Sequence, residues 1–258
     1  MNRIIFTTLY SALVAVNPFL FADQPADSSD IGEIKHSFFV VHGMTGGGWD
    51  WQIIDQLLSE KGQYVYRVTL TGLGERVHLA SPSVGLETHI SDVENSIAFE
   101  NKHAVILVGH SYGGMVIGGV MDRIPEKISH GIFLDAIVPE HGKSVADLRP
   151  ELLKFRVSEG MIHPAWISFD SLPPHDVPQS FKTLTDKVSF SNPKIVGIKA
   201  TFVVFSNNPL ERQKRMINDH SWRRAEAMGW DIRHLISDHN AQRSKPEELV
   251  DLLLEIVN

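Results

Sequence analysis

The sequence predicts an α/β fold: a mostly parallel, doubly wound sheet with a lid insertion. Three observations lead there. From His36 onward, short runs rich in β-branched and aromatic residues alternate with longer helical patterns, the signature of βαβ units. Several of these runs are apolar almost throughout, as strands covered by helices on both faces must be. The alternation then fails between Val138 and Lys199, where Pro139, Pro150, Pro164, Pro173, Pro174, Pro178 and Pro193 interrupt helix-like fragments. A long irregular stretch inside a compact domain is usually functional. Here it is expected to lie over the carboxyl ends of the strands, because Leu152, Phe155, Met161, Trp166, Phe169 and Phe181 need a surface to cover.

Taken in order, strands are expected at residues 38–42, 64–69, 104–109, 131–135, 201–205 and 231–236, each a β-branched or aromatic run bounded by polar or turn residues. Amphipathic helices are expected at 49–61, 86–100 and 111–124, and a last one at 246–257, opened by Lys245-Pro246-Glu247-Glu248. The domain then spans 36–258, with the lid at about 139–198.

The chain has 258 residues, 43% of them hydrophobic and 21% charged, enough for one sizeable core. A net charge of -7 leaves no global basic surface, and the 9% aromatic residues are scattered, so no nucleic-acid partner is expected. The absence of cysteine removes disulfides, thiolate nucleophiles and cysteine-ligated zinc. The 13 histidines include no H-E-x-x-H pair, and neither a metal nor a cofactor is expected.

The amino terminus reads separately. Met1-Asn2-Arg3 is followed by an apolar run from Ile4 to Phe21, then Ala22 and a polar, acidic stretch at 23–35, the pattern of a secretory signal peptide at 1–22. A periplasmic or secreted protein with no stable membrane insertion is expected. Leu20, three residues before the cut, is bulkier than such sites prefer, which keeps an uncleaved anchor as the alternative. Asn17 and Pro18 count against it, since they break a run that should be about 20 residues long to span a bilayer.

The strongest chemical signal is Gly109-His110-Ser111-Tyr112-Gly113-Gly114, a G-x-S-x-G between an apolar strand and a helix. In so sharp a turn a side chain at Gly109 or Gly113 would collide with neighbouring backbone, while Ser111 is pushed out to where a substrate can reach it. His42-Gly43-Met44-Thr45-Gly46-Gly47-Gly48-Trp49 also ends a strand and opens a helix, and its glycines free backbone N–H groups to face a developing oxyanion. The expected pair of donors is the N–H of Met44 and that of Tyr112. His42 reads as a structural hydrogen-bonding residue. A phosphate loop is disfavoured, because the run lacks both a terminal Gly-Lys-Ser/Thr and G-x-G-x-x-G spacing. His239 follows the last strand and precedes the last helix, which places it as the general base. For the acid, Asp135 ends the strand at 131–135 and is the first candidate; Glu211 is the alternative, because the loop at Ser206-Asn207-Asn208-Pro209 offers no earlier carboxylate.

Together these motifs resemble the α/β-hydrolase superfamily over residues 36–258. Within it, His42-Gly43 with Gly47-Gly48-Trp49, the Ser111 motif, and Asp238-His239 with Ser244-Lys245-Pro246 look like the branch of plant methyl-ester esterases and hydroxynitrile lyases. The runs from Thr71 to Leu79 and from Val84 to Ile90, with Leu134-Asp135-Ala136 and Val138-Pro139-Glu140, are similar to a bacterial subgroup that includes the carbendazim-hydrolysing esterase. The plant branch keeps its acid after the later strand, where this chain has Asn208-Pro209. Haloalkane dehalogenases hold one after the earlier strand, where Asp135 stands. The lyases have a threonine and a lysine where this chain has Gly43 and Asn240.

The resemblance implies a serine hydrolase of small carboxylic esters acting through an acyl-enzyme, with a small-molecule substrate and no cofactor. A carbamate, amide or lactone hydrolase with the same triad stays open, as does a receptor-like protein that binds ligand with little turnover. Cyanohydrin cleavage is disfavoured. Trp166, Phe169, Met161 and His163 are candidates for lining an aromatic-tolerant pocket, or for packing the lid onto the core.

Overall fold

A computed structural model describes residues 35–258 except Phe169. The expected signal segment lies outside the described residues.

The strands are β1 (Ser37–Val41), β2 (Tyr64–Val68), β3 (Val105–His110), β4 (Ile128–Leu134), β5 (Arg156–Ser158), β6 (Met161–His163), β7 (Gln179–Ser180), β8 (Lys199–Ser206) and β9 (Asp231–Ile236). Six form a sheet in the order β2-β1-β3-β4-β8-β9, with every neighbouring pair parallel. Side chains of a strand alternate between faces, and here both faces are buried. Phe39 and Val41 of β1 join one core with Leu107 of β3 and Phe202 of β8, whereas Phe38, Val40, Val108 and Val203 join the other. The first core is completed by α2 (Leu86–Phe99) and α3 (Gly113–Arg123), through residues such as Val93 and Val116. The second is completed by α1 (Gln52–Glu60) and α9 (Pro246–Val257), through Ile54, Leu58 and Leu253. The chain leaves β1 in both directions of the sheet, to β2 and, later, to β3. Ligands bind at the carboxyl edge of such a switch point, and His42 and Ser111 stand there.

The expected strands and core helices are present, with shifts at their ends. β4 begins three residues early, at Ile128, where the Ser129 hydroxyl donates to the Ala104 carbonyl at 2.8 Å. α3 begins at Gly113 because Ser111, at φ 53°, lies outside the helical region. The lid proves to have structure of its own. It carries α4 (Val145–Leu148), α5 (Lys182–Thr185) and the antiparallel sheet β5-β6-β7. Ser144 and Asp147 cap α4 reciprocally. At the lid's neck the Gly142 N–H donates to the Val188 carbonyl at 2.9 Å and the Val188 N–H to the Lys143 carbonyl at 3.0 Å.

Outside the lid, two helices of eight residues or more were not expected, α6 (Pro209–Asn218) and α7 (His220–Ala227). α6 buries no residue, so it has no apolar stripe to read. Its start is chemical instead: the Asn208 side chain accepts the Glu211 N–H at 3.0 Å, and Pro209 takes the first helical position. The short α8 (Ala241–Ser244) follows His239.

Candidate active site

β3 ends in a turn that only glycine permits at two places. A Cβ on Gly109 would sit 2.8 Å from the Gly113 carbonyl oxygen, and one on Gly113 would sit 2.6 Å from that of Val41. Between them Ser111 holds a left-handed conformation that costs about 1 kcal/mol or more and is enforced by its surroundings. Its N–H donates to Leu134 O at 3.2 Å, and its carbonyl accepts from Ile137 N–H at 3.0 Å. Asp135, at φ 46°, makes the matching turn at the end of β4, with its N–H on Val203 O at 2.8 Å. The two turns are thus laced together by backbone.

The His239 Nδ1 lies 2.5 Å from Asp135 Oδ2. The other carboxylate oxygen of Asp135 accepts from Arg215 Nη1 and from the Phe205 N–H. Arg215 continues to Asp219 at 2.5 Å, and Asp219 pairs with Arg149 at 3.1 Å. Burial alone would push the Asp135 carboxyl up, but His239 and Arg215 outweigh it and hold it below the usual carboxylate range. A buried carboxylate with a cation on one side and an imidazole on the other stays ionised, and it orients the ring. Glu211 lies elsewhere: its carboxylate accepts from the Asn207 N–H at 2.7 Å and closes the first turn of α6. The structure therefore brings His239 to Asp135 and leaves Glu211 out.

Ser111 and His239 line one cavity of about 590 Å³ together with Met44, Tyr112 and His110. Among the described residues neither the Met44 N–H nor the Tyr112 N–H has a backbone acceptor. Their orientation has identifiable causes. The Leu70 N–H donates to His42 Nε2 at 3.2 Å, so the proton of this ring is on Nδ1, which donates to the Gly43 carbonyl at 2.8 Å. In a trans peptide the carbonyl and the next N–H point opposite ways, so the Met44 N–H faces away from His42. Burial lowers the His42 pKa and keeps the ring neutral. Tyr112 is anchored by its hydroxyl on His89 Nδ1 at 2.8 Å, while His89 Nε2 donates to the Thr71 carbonyl at 3.0 Å. Burial lowers the His89 pKa to about 4, which fixes it as a neutral strut. The two runs read separately in the sequence, Thr71–Leu79 and Val84–Ile90, meet through this contact and through Asp92, which accepts from Thr71 N–H at 2.6 Å.

His110 was read only as part of the serine motif. It is buried under His239, with ring centroids 4.6 Å apart, and its Nε2 donates to the His239 carbonyl at 2.7 Å. Desolvation, with the His239 ring beside it, lowers the His110 pKa to about 3. The lid supplies Val145, Leu152, Phe155, Trp166, Asp176 and Leu184 to the cavity wall, and Asp50 and Arg243 line it from outside the lid. Of the lid residues singled out in the sequence, Trp166 lines the cavity; Met161 and His163 stand in β6 away from it, and Phe169 lies outside the described residues. Thr45 ties the lid to the Met44 loop. Its N–H donates to Gln179 Oε1 at 2.8 Å, its carbonyl accepts from Val177 N–H at 2.9 Å, and its hydroxyl accepts from Trp166 Nε1 at 3.0 Å.

Arg215, Asp219, Arg149, Asp176 and the His110 contact were missed in the sequence. Arg215 and Asp219 are four apart on one turn, a spacing that would have flagged a pair; nothing local pointed to Asp135 as their target.

The chain belongs to the alpha/beta hydrolase family, whose model matches residues 38–252. It is 49% identical to the carbendazim hydrolyzing esterase of Nocardioides sp. (strain SG-4G) over 126 residues, 49% of this chain and 52% of that protein. That match therefore spans about half of each. Methylesterase 10 of Arabidopsis thaliana is 29% identical, covering 86% of this chain and 91% of that protein. Among solved structures, an extracellular alpha/beta-hydrolase from a Paenibacillus species superposes with a TM-score of 0.71 at 20% identity, over 86% of this chain and 98% of that one, a likeness of fold.

Proposed function

We propose that the protein is a serine hydrolase of small carboxylic esters, with Ser111 as nucleophile, His239 as base and Asp135 as the acid that orients it. The observation that carries this reading is the pairing of His239 with Asp135 at 2.5 Å beside a serine held in a strained turn on the same cavity. His239 Nε2 takes the Ser111 hydroxyl proton as Oγ attacks the ester carbonyl. The Met44 and Tyr112 N–H groups receive the oxyanion, and the proton passes from His239 to the departing alcohol. Water, deprotonated by His239 in turn, then attacks the acyl-serine and releases the acid. Asp135 stays ionised throughout and stabilises the imidazolium while it exists. The carbendazim hydrolyzing esterase and methylesterase relatives support ester hydrolysis as the reaction class.

The test is direct. A fluorophosphonate probe should label Ser111 in wild type and nothing in Ser111→Ala, and short-chain p-nitrophenyl esters should be turned over by the first alone. Folded wild type that is neither labelled nor active would remove the hydrolase reading. A panel adding aryl carbamates, anilides and lactones separates the acyl classes.

We also propose that the protein acts outside the cytoplasm after cleavage behind Ala22. The apolar run and small residue before a polar break support this, and amino-terminal sequencing of protein from the native host checks it.

A further inference from the structure

The charged groups on the cavity wall do not balance. Asp50 is spoken for: it pairs with Arg243 and accepts from Gln242 Nε2 at 2.7 Å. The Arg243 guanidinium makes that ion pair, stacks on Trp49 at 4.9 Å from the ring centroid, and acts on Asp176 only from beyond ion-pair distance. His110 is neutral for the reasons given above, and the His239–Asp135 pair is matched by Arg215 behind it. Asp176 is left over. Its Oδ1 lies 3.0 Å from the Thr45 hydroxyl, whose single proton has a nearer acceptor in the Met44 carbonyl at 2.6 Å. Among the described residues no ion pair reaches it, and its Oδ2 has no donor. The carboxylate sits half-buried on the lid side of the cavity, on a wall it shares with Phe155 and Trp166, whose rings meet edge to face at 5.2 Å. Burial is the largest influence and raises the pKa of this carboxyl; the Thr45 hydroxyl and the more distant Arg243 charge oppose it without reversing it.

We infer that Asp176 determines specificity: the preferred esters carry a cationic or N–H-donating nitrogen group on the part seated against the lid, and anionic esters are rejected. The inference rests on the esterase reading and adds the substrate class. A carboxylate partly stripped of water binds a charged donor more strongly than a neutral one, and an aromatic face beside it favours a cation further. An anionic group placed there would meet a like charge that Arg243, already paired with Asp50, offsets only in part.

Three methyl esters test it at neutral pH and low salt: methyl 4-(aminomethyl)benzoate, which is cationic, its neutral isostere methyl 4-ethylbenzoate, and methyl 4-(carboxymethyl)benzoate, which is anionic. Wild type should show kcat/KM falling in that order, with the cationic ester favoured over the neutral one by about 10-fold to 100-fold, the range expected for a hydrogen bond to a charged group. In Asp176→Asn, which keeps an oxygen for Thr45, the ratio should collapse toward one. A wild-type ratio near one, or a ratio unchanged by Asp176→Asn, overturns the inference. Calorimetric binding of the same esters to Ser111→Ala reads Asp176 without turnover. If wild type hydrolyses none of the three and is also inert to the fluorophosphonate probe and to p-nitrophenyl esters, the esterase reading is what fails. Tighter binding of the cation to Ser111→Ala, lost in Ser111→Ala/Asp176→Asn, would then still uphold the role of Asp176, and equal binding of cation and neutral ester would overturn it.

Discussion

The two sides of the cavity are held by different forces. On the sheet side, Ser111 and Asp135 stand on strained turns laced by main-chain hydrogen bonds above a core whose strand residues are fully buried. On the lid side, Trp166 is half exposed, and the wall is tied to the Met44 loop by contacts that converge on one residue, Thr45. Main-chain geometry of the first kind can be supplied by many core sequences, whereas two of the three ties of the second kind, those from Gln179 and Trp166, depend on a particular side chain. The turns that carry Ser111 and Asp135 are therefore held without the lid, whereas the Met44 loop is tied to the lid through Thr45.

The largest effects should fall on the sheet side. Asp135→Asn should lower kcat by about 10⁴-fold, as loss of a triad acid does elsewhere, while Glu211→Gln should change it by less than about twofold, since exposed polar changes away from a site are near neutral. Steady-state kinetics on one p-nitrophenyl ester decides between the two carboxylates. Gly113→Ala forces a Cβ to within 2.6 Å of the Val41 carbonyl oxygen; a cost of about 3 kcal/mol is expected, read from the denaturant midpoint.

Arg215→Gln comes next, at about 3 kcal/mol for breaking a largely buried ionic network, and it carries a pH signature. The folded-state pKa values of Asp135 and Asp219 lie below the ordinary value, because the His239 and arginine contacts overcome the opposing effect of burial. Their pairing thus stabilises the fold fully above about pH 4 and is lost as the pH falls through the folded values. Removing the Arg215 cation raises both folded values toward the unfolded ones, so the part of the stability that is lost on acidification below about pH 4 should be smaller, and the decline shallower, in Arg215→Gln than in wild type. Overlapping acid profiles would show that Arg215 is only a surface group. The smallest effect is on the lid: Trp166→Phe removes one hydrogen bond to Thr45, worth about 1 kcal/mol, and should raise KM more than it lowers kcat. A kcat loss as large as that of Asp135→Asn would erase the contrast between the two sides.

The sheet was legible because β1, β3, β4 and β8 are apolar on both faces, and the serine turn was legible because Gly109 and Gly113 are demanded by contacts of the main chain. The lid's small sheet was not, since β5, β6 and β7 have three residues or fewer and show no periodicity. α6 escaped because it buries no apolar residue, and Ser206-Asn207-Asn208-Pro209 marks its start without offering a carboxylate. Arg215 reaches Asp135 across 80 positions of sequence, and Asp176 reaches Thr45 across 131, so neither contact leaves a local trace.

The neck at Gly142 and Val188 makes the region between them a closed excursion: the chain departs from and returns to the same place, joined by two main-chain bonds that ignore side-chain identity. Because the entropic cost of such a loop grows only slowly with its length, this segment is a natural cassette. A laboratory recombination of residues 143–187 at those two joints is expected to leave the strands in place where the exchanged segment keeps a cation for Asp219, as Arg149 supplies, and apolar residues for the core that Val145, Ile162, Val177 and Leu184 join.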